Sequence, residues 1–294
     1  MPELKILVDS TADLSLSDRQ EYDIDYLHMS FYLDKKIYDA SLDWEEIRPE
    51  DYYALMDQGH RSFTGQASLN EITTKFEQAL SQGKDVLYIG CSSMLSGTIN
   101  NARIVACDFI DKYDNKIVII DSLRSNYAQG MMAIKAAKLY QEGHTLGEIV
   151  HVLLRDRLRY QTLCFLDSLE WMKKSGRIKS SFMLKNLIGF HSLVFSDSEG
   201  YNSLFRSTKT KKGALSMLAD IIYQRVDKKS GDPIYIEHGD CINEAHKLAV
   251  LLKNKGIKNP IQISYLGPII GATTGPESLT ISFYGKKVSN VDFL

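Results

Sequence analysis

Short apolar runs in this chain repeatedly end in small hydroxyl residues and carboxylates. Ile6-Leu7-Val8 runs into Asp9-Ser10-Thr11-Ala12-Asp13, Asp85 to Gly90 into Cys91-Ser92-Ser93, and Lys116 to Ile120 into Asp121-Ser122. Two further polar stretches carry hydroxyls: Ser62 to Ser68, with Thr64, Gly65 and Gln66, and Gly267 to Pro276, with Thr273 and Thr274. A strand-to-helix junction can hold an anion, because the first helix N–H groups and the helix dipole both favour negative charge there. The plainer use of the same hydroxyls is helix capping, and Ser93 or Ser96 stands where it could cap the next helix. The chemistry on offer is anion holding, provided the junctions converge.

Convergence depends on the elements between them. Ile99, Ala102, Val105 and Phe109 recur at helical spacing after Ser96-Gly97-Thr98 and predict a helix there. Tyr26 to Leu33 reads as a strand, Asp34-Lys35-Lys36 as a turn, and Ile37-Tyr38 as the returning strand. Pro49 to Asp57 and Leu69 to Gln82 read as helices, the second opened by a Ser68–Glu71 capping box. Gly130 to Tyr140, ended by Gly143, and Thr145 to Arg157 read as two more. This alternation predicts a parallel, Rossmann-like α/β sheet whose strands deliver the three junctions to one edge. No G-x-G-x-x-G or P-loop spacing supports a nucleotide.

The second half changes character. Thr162 to Leu166, Pro233 to Glu237, Ile261 to Tyr265 and Leu279 to Tyr284 read as strands, and Leu193 to Phe195 with Tyr201 to Phe205 as a hairpin. Ser168 to Lys174, Lys212 to Val226 and Asn243 to Lys253 read as helices, with a further helix after Arg177 through Leu187. Gly267 to Pro276 reads as a long turn. The expected division is an N-terminal α/β domain, residues 1–158, and a C-terminal α+β domain, residues 159–294.

Composition narrows the function. At 294 residues the chain suffices for two domains, and a net charge of -2 leaves no footprint of a nucleic-acid or polybasic membrane binder. Cys91, Cys107, Cys164 and Cys241 lack CxxC spacing, which fits reduced thiols rather than disulfides or a zinc site. No apolar run approaches the roughly 18 residues of a membrane helix, and Met1 to Lys5 enters a strand without a signal-peptide core. A cytoplasmic protein is expected. Asp9, Asp13 and Asp121 match no Mg²⁺ or Ca²⁺ loop, and no metal or cofactor is expected. The alternative to a binding protein is a hydrolase or transferase using a strand-end Ser or Cys91, whose pKa a helix N-terminus would lower. Against it, no G-x-S-x-G elbow is present, and His238 reads as structural rather than as a base.

An ordered set of motifs spans the chain: Val8-Asp9-Ser10-Thr11-Ala12-Asp13-Leu14, Thr64-Gly65-Gln66-Ala67-Ser68, Ser92-Ser93-Met94-Leu95-Ser96-Gly97-Thr98 and Asp121-Ser122. Leu169 to Ile178 and Gly267-Pro268 with Gly271 to Pro276 complete it. Together they resemble the DegV family of bacterial proteins, which includes the fatty-acid-binding subunits of bacterial fatty acid kinase. The resemblance implies a two-domain protein that clasps one long-chain fatty acid between its domains, the acyl chain lying in an apolar tunnel of the second. It implies a subunit without catalysis of its own, presenting the lipid to a separate kinase subunit for acyl-phosphate formation in phospholipid metabolism.

Carried over residue by residue, the resemblance gives Thr64, Ser93, Thr273 and Thr274 to the carboxylate. Gly65, Gln66, Ser92, Ser96 and Gly97 become supporting turn residues. Arg177 and Arg206 match basic positions near the lipid site or on the kinase-docking face. A buried carboxylate needs two or more donors to offset its desolvation, and neutral hydroxyls can supply them. The sequence departs from the family pattern at Gly65 for Ser, Ala67 for Pro, Thr273 for His and Glu277 for Gly. Either Thr273 substitutes for the His, or the bound group or its pose differs.

Overall fold

A computed structural model describes residues 3–179 and 189–289 of the chain. The helix expected through Leu187 lies outside the described residues. The first half runs β1 (Glu3–Asp9), α1 (Leu16–Glu21), β2 (Ile24–Leu27), β3 (Ser30–Leu33), β4 (Lys36–Asp39), α2 (Pro49–Asp57), β5 (Phe63–Gly65) and α3 (Leu69–Leu80). It continues with β6 (Lys84–Gly90), α4 (Thr98–Cys107), β7 (Ile117–Asp121), α5 (Asn126–Gln141) and α6 (Leu146–Asp156). The second half comprises β8 (Tyr160–Leu166), α7 (Glu170–Ser175), β9 (His191–Ser196), β10 (Asn202–Thr208) and α8 (Lys211–Arg225). It closes with β11 (Ile234–His238), α9 (Ile242–Asn254), β12 (Ile261–Tyr265), α10 (Pro268–Thr274) and β13 (Leu279–Tyr284).

The parallel sheet has the order β2-β1-β6-β7. Strand alternation divides its side chains between two cores. Leu7, Val86 and Tyr88 face α3 and α4 together with Ile72, Phe76 and Ile99. Ile6, Val8, Leu87 and Ile89 face α5 and α6 with Met132, Ala136 and Leu153. The second sheet is mixed, in the order β10-β9-β8-β13-β11-β12, with α8 and α9 covering one face. A small antiparallel sheet, β4-β3-β5, stands beside the first. The expected α/β architecture with a parallel sheet and a separate mixed one is present.

Several local expectations are corrected. Tyr26 to Leu33 is two strands in different sheets, because the chain turns at His28-Met29, where the Met29 N–H donates to Ser10 Oγ at 3.0 Å. The stretch Ser62 to Ser68 contains β5, paired to β3 through Phe31 and Thr64. Ser68 accepts from the Glu71 N–H, but the Glu71 carboxylate turns to the His28 N–H, so the capping box is half formed. The full box belongs to Thr145 and Glu148 at the start of α6. Neither Ser93 nor Ser96 is the N-cap of α4; Gly97 holds that position, and Ser96 Oγ accepts from the Thr98 N–H at 3.3 Å. The supposed long turn after Gly267 is α10, and α5 starts at Asn126, ahead of Gly130.

α5 lacks a polar stripe because it is buried on both sides. It packs on β1 and β6 of one sheet and on β8 and β13 of the other. A helix enclosed this way shows little amphipathic period, which is why its first turn escapes a pattern search. Just before it, Arg124 is fully buried and donates to the carbonyls of Tyr160 at 2.5 Å, Leu123 at 2.6 Å and Asp197 at 2.9 Å. Arg124→Met leaves those carbonyls without a donor in the seam between the halves, at an expected cost on the order of 3 kcal/mol. Urea unfolding should show a lower midpoint with an unchanged slope; an unchanged midpoint would show the staple to be dispensable.

Candidate functional site

The parallel order of β1, β6 and β7 brings the three hydroxyl clusters to one edge, as expected, and most of those hydroxyls are spent there. Asp9, fully buried, accepts from the Thr11 N–H at 3.0 Å, from Thr11 Oγ1, from Tyr88 Oη at 2.7 Å and from the Cys91 N–H at 2.9 Å. Ser10 Oγ bridges the Leu27 carbonyl and the Met29 N–H. Ser92 Oγ donates to the Gly200 carbonyl at 2.8 Å, and Ser122 Oγ to the Arg124 carbonyl at 3.0 Å. These groups tie the strand ends to their surroundings.

Above them a cavity of about 40 Å³ lies between the halves. Thr11, Met29, Thr64, Leu95, Ser96 and Asn126 line it from the first half; Met172, Arg177, Ile269, Ile270, Thr273 and Thr274 line it from the second. The polar wall is donor-rich. Thr64 Oγ1, on β5, accepts from Arg177 Nη2 at 2.9 Å, which leaves the Thr64 proton available. Arg177 is also fixed by the Leu95 carbonyl at 3.2 Å and the Ser175 carbonyl at 3.1 Å, and burial lowers its pKa from the ordinary arginine value. Thr273 is buried on α10, and its hydroxyl has no hydrogen-bond partner among the described residues. The Asn126 amide is anchored by Ser125 Oγ, which donates to Oδ1 at 2.7 Å, while its buried Nδ2 has no partner. An orphaned buried donor beside a cavity is costly unless something there accepts from it.

Thr64, Ser96, Thr273, Thr274 and Arg177 all line this one cavity. Thr274 is already committed: its hydroxyl donates to the Ile270 carbonyl at 3.2 Å and accepts from Ser278. Ser93 is not among the lining residues, and its N–H donates to Asp121 Oδ1 at 3.3 Å. Gly97 and Gln66 support the wall from behind. A Cβ on Gly97 would lie 2.3 Å from the Gln66 amide, which is itself held by Asn101. Gly65 is a similar close approach, to Ser30 Oγ. Arg206 is exposed on β10, bonds to the neighbouring Phe205 carbonyl and lies off the cavity. The Arg177 guanidinium adds a charged donor to the hydroxyls of the wall.

A family model described as "Uncharacterised protein, DegV family" matches residues 3–286. The chain belongs to the DegV family. A DegV domain-containing protein of Clostridium perfringens is 30% identical over 287 residues, which cover 97% of this chain and 98% of that one. One from Clostridium acetobutylicum is 32% identical with the same coverage. Among solved structures, a fatty-acid-binding DegV protein of Streptococcus agalactiae superposes with a TM-score of 0.86 at 22% identity, covering 98% of this chain and all of that one. A DegV protein from Thermus thermophilus, described for its fatty acid binding, gives 0.85 at 23% identity, over 97% of this chain and 100% of its own. These likenesses carry the fold.

For this DegV chain, the surroundings of Cys91, which itself lines the cavity, work against the nucleophile reading. Burial and the nearby Asp9 carboxylate push the thiol up, opposite to the shift a helix N-terminus was expected to give. Burial lowers the pKa of His238, whose Nδ1 has no partner, and His238 is not among the cavity-lining residues. Among the described residues no group of three metal-ligating side chains occurs, and no helix is long and apolar enough to cross a membrane. Asn126 and Thr11 were not singled out as site residues. Asn126 carries one sequence signal, an Asn at the far end of the Asp121-Ser122 junction where an apolar helix begins. Thiol labelling checks the Cys91 environment: at pH 8, brief iodoacetamide treatment should modify exposed Cys107 and spare buried Cys91, Cys164 and Cys241. Rapid labelling of Cys91 would restore it as a nucleophile.

Proposed function

We propose that this protein binds a long-chain fatty acid, with the carboxylate in the cavity between the halves, and presents it to a separate kinase subunit for acyl-phosphate formation. The observation that carries the reading is the convergence of unspent donors on one small cavity: the Thr64 hydroxyl, the Thr273 hydroxyl, the Asn126 amide and the Arg177 guanidinium. A donor-rich wall suits an anion and penalises a neutral acceptor-poor group. Beside it stand Met29, Leu95, Met172, Ile269 and Ile270, an apolar wall in which the two flexible methionines can repack around an acyl chain. The cavity has headgroup dimensions, so the chain enters by displacing that apolar wall. DegV relatives of the same fold are described as fatty-acid-binding proteins, which supports the choice of ligand. In this reading Thr273 takes the place of the family His as a neutral donor, Thr274 supports it, and Arg206 belongs to the kinase-docking face.

The same reading treats residues 1–158 and 159–294 as two cytoplasmic domains. Sheet membership supports the division, since β7 ends at Asp121 and β8 begins at Tyr160, with each sheet confined to one side. The test is denaturing extraction and mass spectrometry of the purified protein, before and after incubation with oleate. A stoichiometric fatty acid is expected. Thr64→Val should weaken binding by about tenfold or more, the loss of one hydrogen bond to a charged group at ~1.5–3 kcal/mol. Ser93→Ala, off the cavity wall, should leave binding unchanged. Absence of lipid from the wild type after oleate loading would overturn the carrier reading, and equal losses in both variants would return Ser93 to the site.

A further inference from the structure

Asp13 and Glu237 come from opposite halves of the chain, one just after β1 and the other on β11. Their carboxyl groups lie out of solvent and within hydrogen-bonding reach of each other. Glu237 is fully buried, and both carboxyl oxygens of Asp13 are sealed although the residue as a whole is only half-buried. Glu237 Oε2 accepts from Thr280 Oγ1 at 3.0 Å and from the Tyr127 N–H at 3.5 Å. Glu237 Oε1 and both oxygens of Asp13 have no donor among the described residues. Gly267 presses against Asp13 so closely that a Cβ there would lie 2.0 Å from Oδ1. The titratable groups around the pair are Asp9 on β1, Tyr53 on α2 and Cys164 on β8. No cationic side chain bonds to either carboxyl among the described residues.

Two carboxylates in contact without a cation cannot both stay ionised, and a proton between them supplies the donor that the orphaned oxygens lack. We propose that Asp13 and Glu237 share one proton and form a pH-sensitive joint between the halves, closed by the proton and loosened when it leaves. The joint is wired to the cavity. Asp13 is two residues from Thr11, Tyr127 follows Asn126, and Gly267 opens α10, which carries Thr273. The assignment is independent of which ligand the cavity takes.

Burial and the neighbouring Glu237 charge raise Asp13 well above the ordinary carboxylate range, and burial raises Glu237 to about 7. The folded state therefore keeps a proton that the unfolded chain gives up near pH 4. Its contribution is complete below that range and is lost as pH rises through 7 and beyond. Urea unfolding from pH 5 to 8.5 should show the wild-type unfolding constant rising by up to about tenfold per pH unit from this proton. Asp13→Asn and Glu237→Gln should flatten that dependence. Infrared difference spectra of the wild type should show a buried protonated carboxyl that disappears by high pH and is absent from whichever variant folds. Parallel pH profiles for wild type and variants, or no protonated carboxyl near pH 6, would overturn the joint.

Discussion

The buried carboxylate of Asp9 is the interaction on which the site's geometry rests. Left without donors in the interior it would cost several kcal/mol, and four donors from two strand ends remove that cost. Those bonds fix Thr11 and Cys91, which floor the cavity, relative to Tyr88 in the core beneath. They also consume hydroxyls. Thr11 Oγ1 has a single proton, and both Asp9 and Gln129 Oε1, at 2.7 Å, lie within its reach. The strand-end hydroxyls are therefore chiefly scaffold, and the donors left over for a ligand come from β5, α10, the start of α5 and the segment after α7.

Those four places meet only because the halves are locked together along a polar seam. Arg124 binds the Tyr160 and Asp197 carbonyls across it, and α5 serves both sheets as one shared layer. α10 then returns from the second half onto the first. Its Ile269 and Ile270 pack in the core of the parallel sheet's outer face, and Tyr52 and Tyr53 donate to the Pro268 and Leu266 carbonyls at 2.8 and 2.7 Å. The Asp13–Glu237 pair sits in the same seam. A site assembled this way inherits the stability of the interface, so groups that never touch a ligand can set how firmly its walls are held.

Membership of the DegV family and the shared fold fix the framework in which the cavity wall is built. Thr273 offers this wall a hydroxyl, a neutral donor that does not titrate near neutrality. The permanent charge in the wall is Arg177, held by backbone carbonyls and by Thr64 rather than by an acidic partner. A guanidinium so placed retains its attraction for an anion, because no carboxylate among the described residues neutralises it.

The sequence by itself determined most of the strands, the presence of a parallel sheet in the first half, the helix starting at Pro49 and the delivery of hydroxyl clusters to one edge. Those features follow from local rules: burial period, turn residues and the ends of apolar runs. It also carried the family motifs, and with them Thr64, Thr273 and Arg177. Tertiary structure alone decided which hydroxyls are spent and which are available. Thr64 meets Arg177 across 113 residues of chain, and Thr11 meets Gln129 across 118, distances over which composition and period say nothing. It likewise turned the glycine-bearing stretch after Gly267 into a helix, because packing on Tyr52 and Tyr53 outweighs its poor intrinsic propensity. Local pattern sets where a side chain stands along its element; only packing sets what it faces.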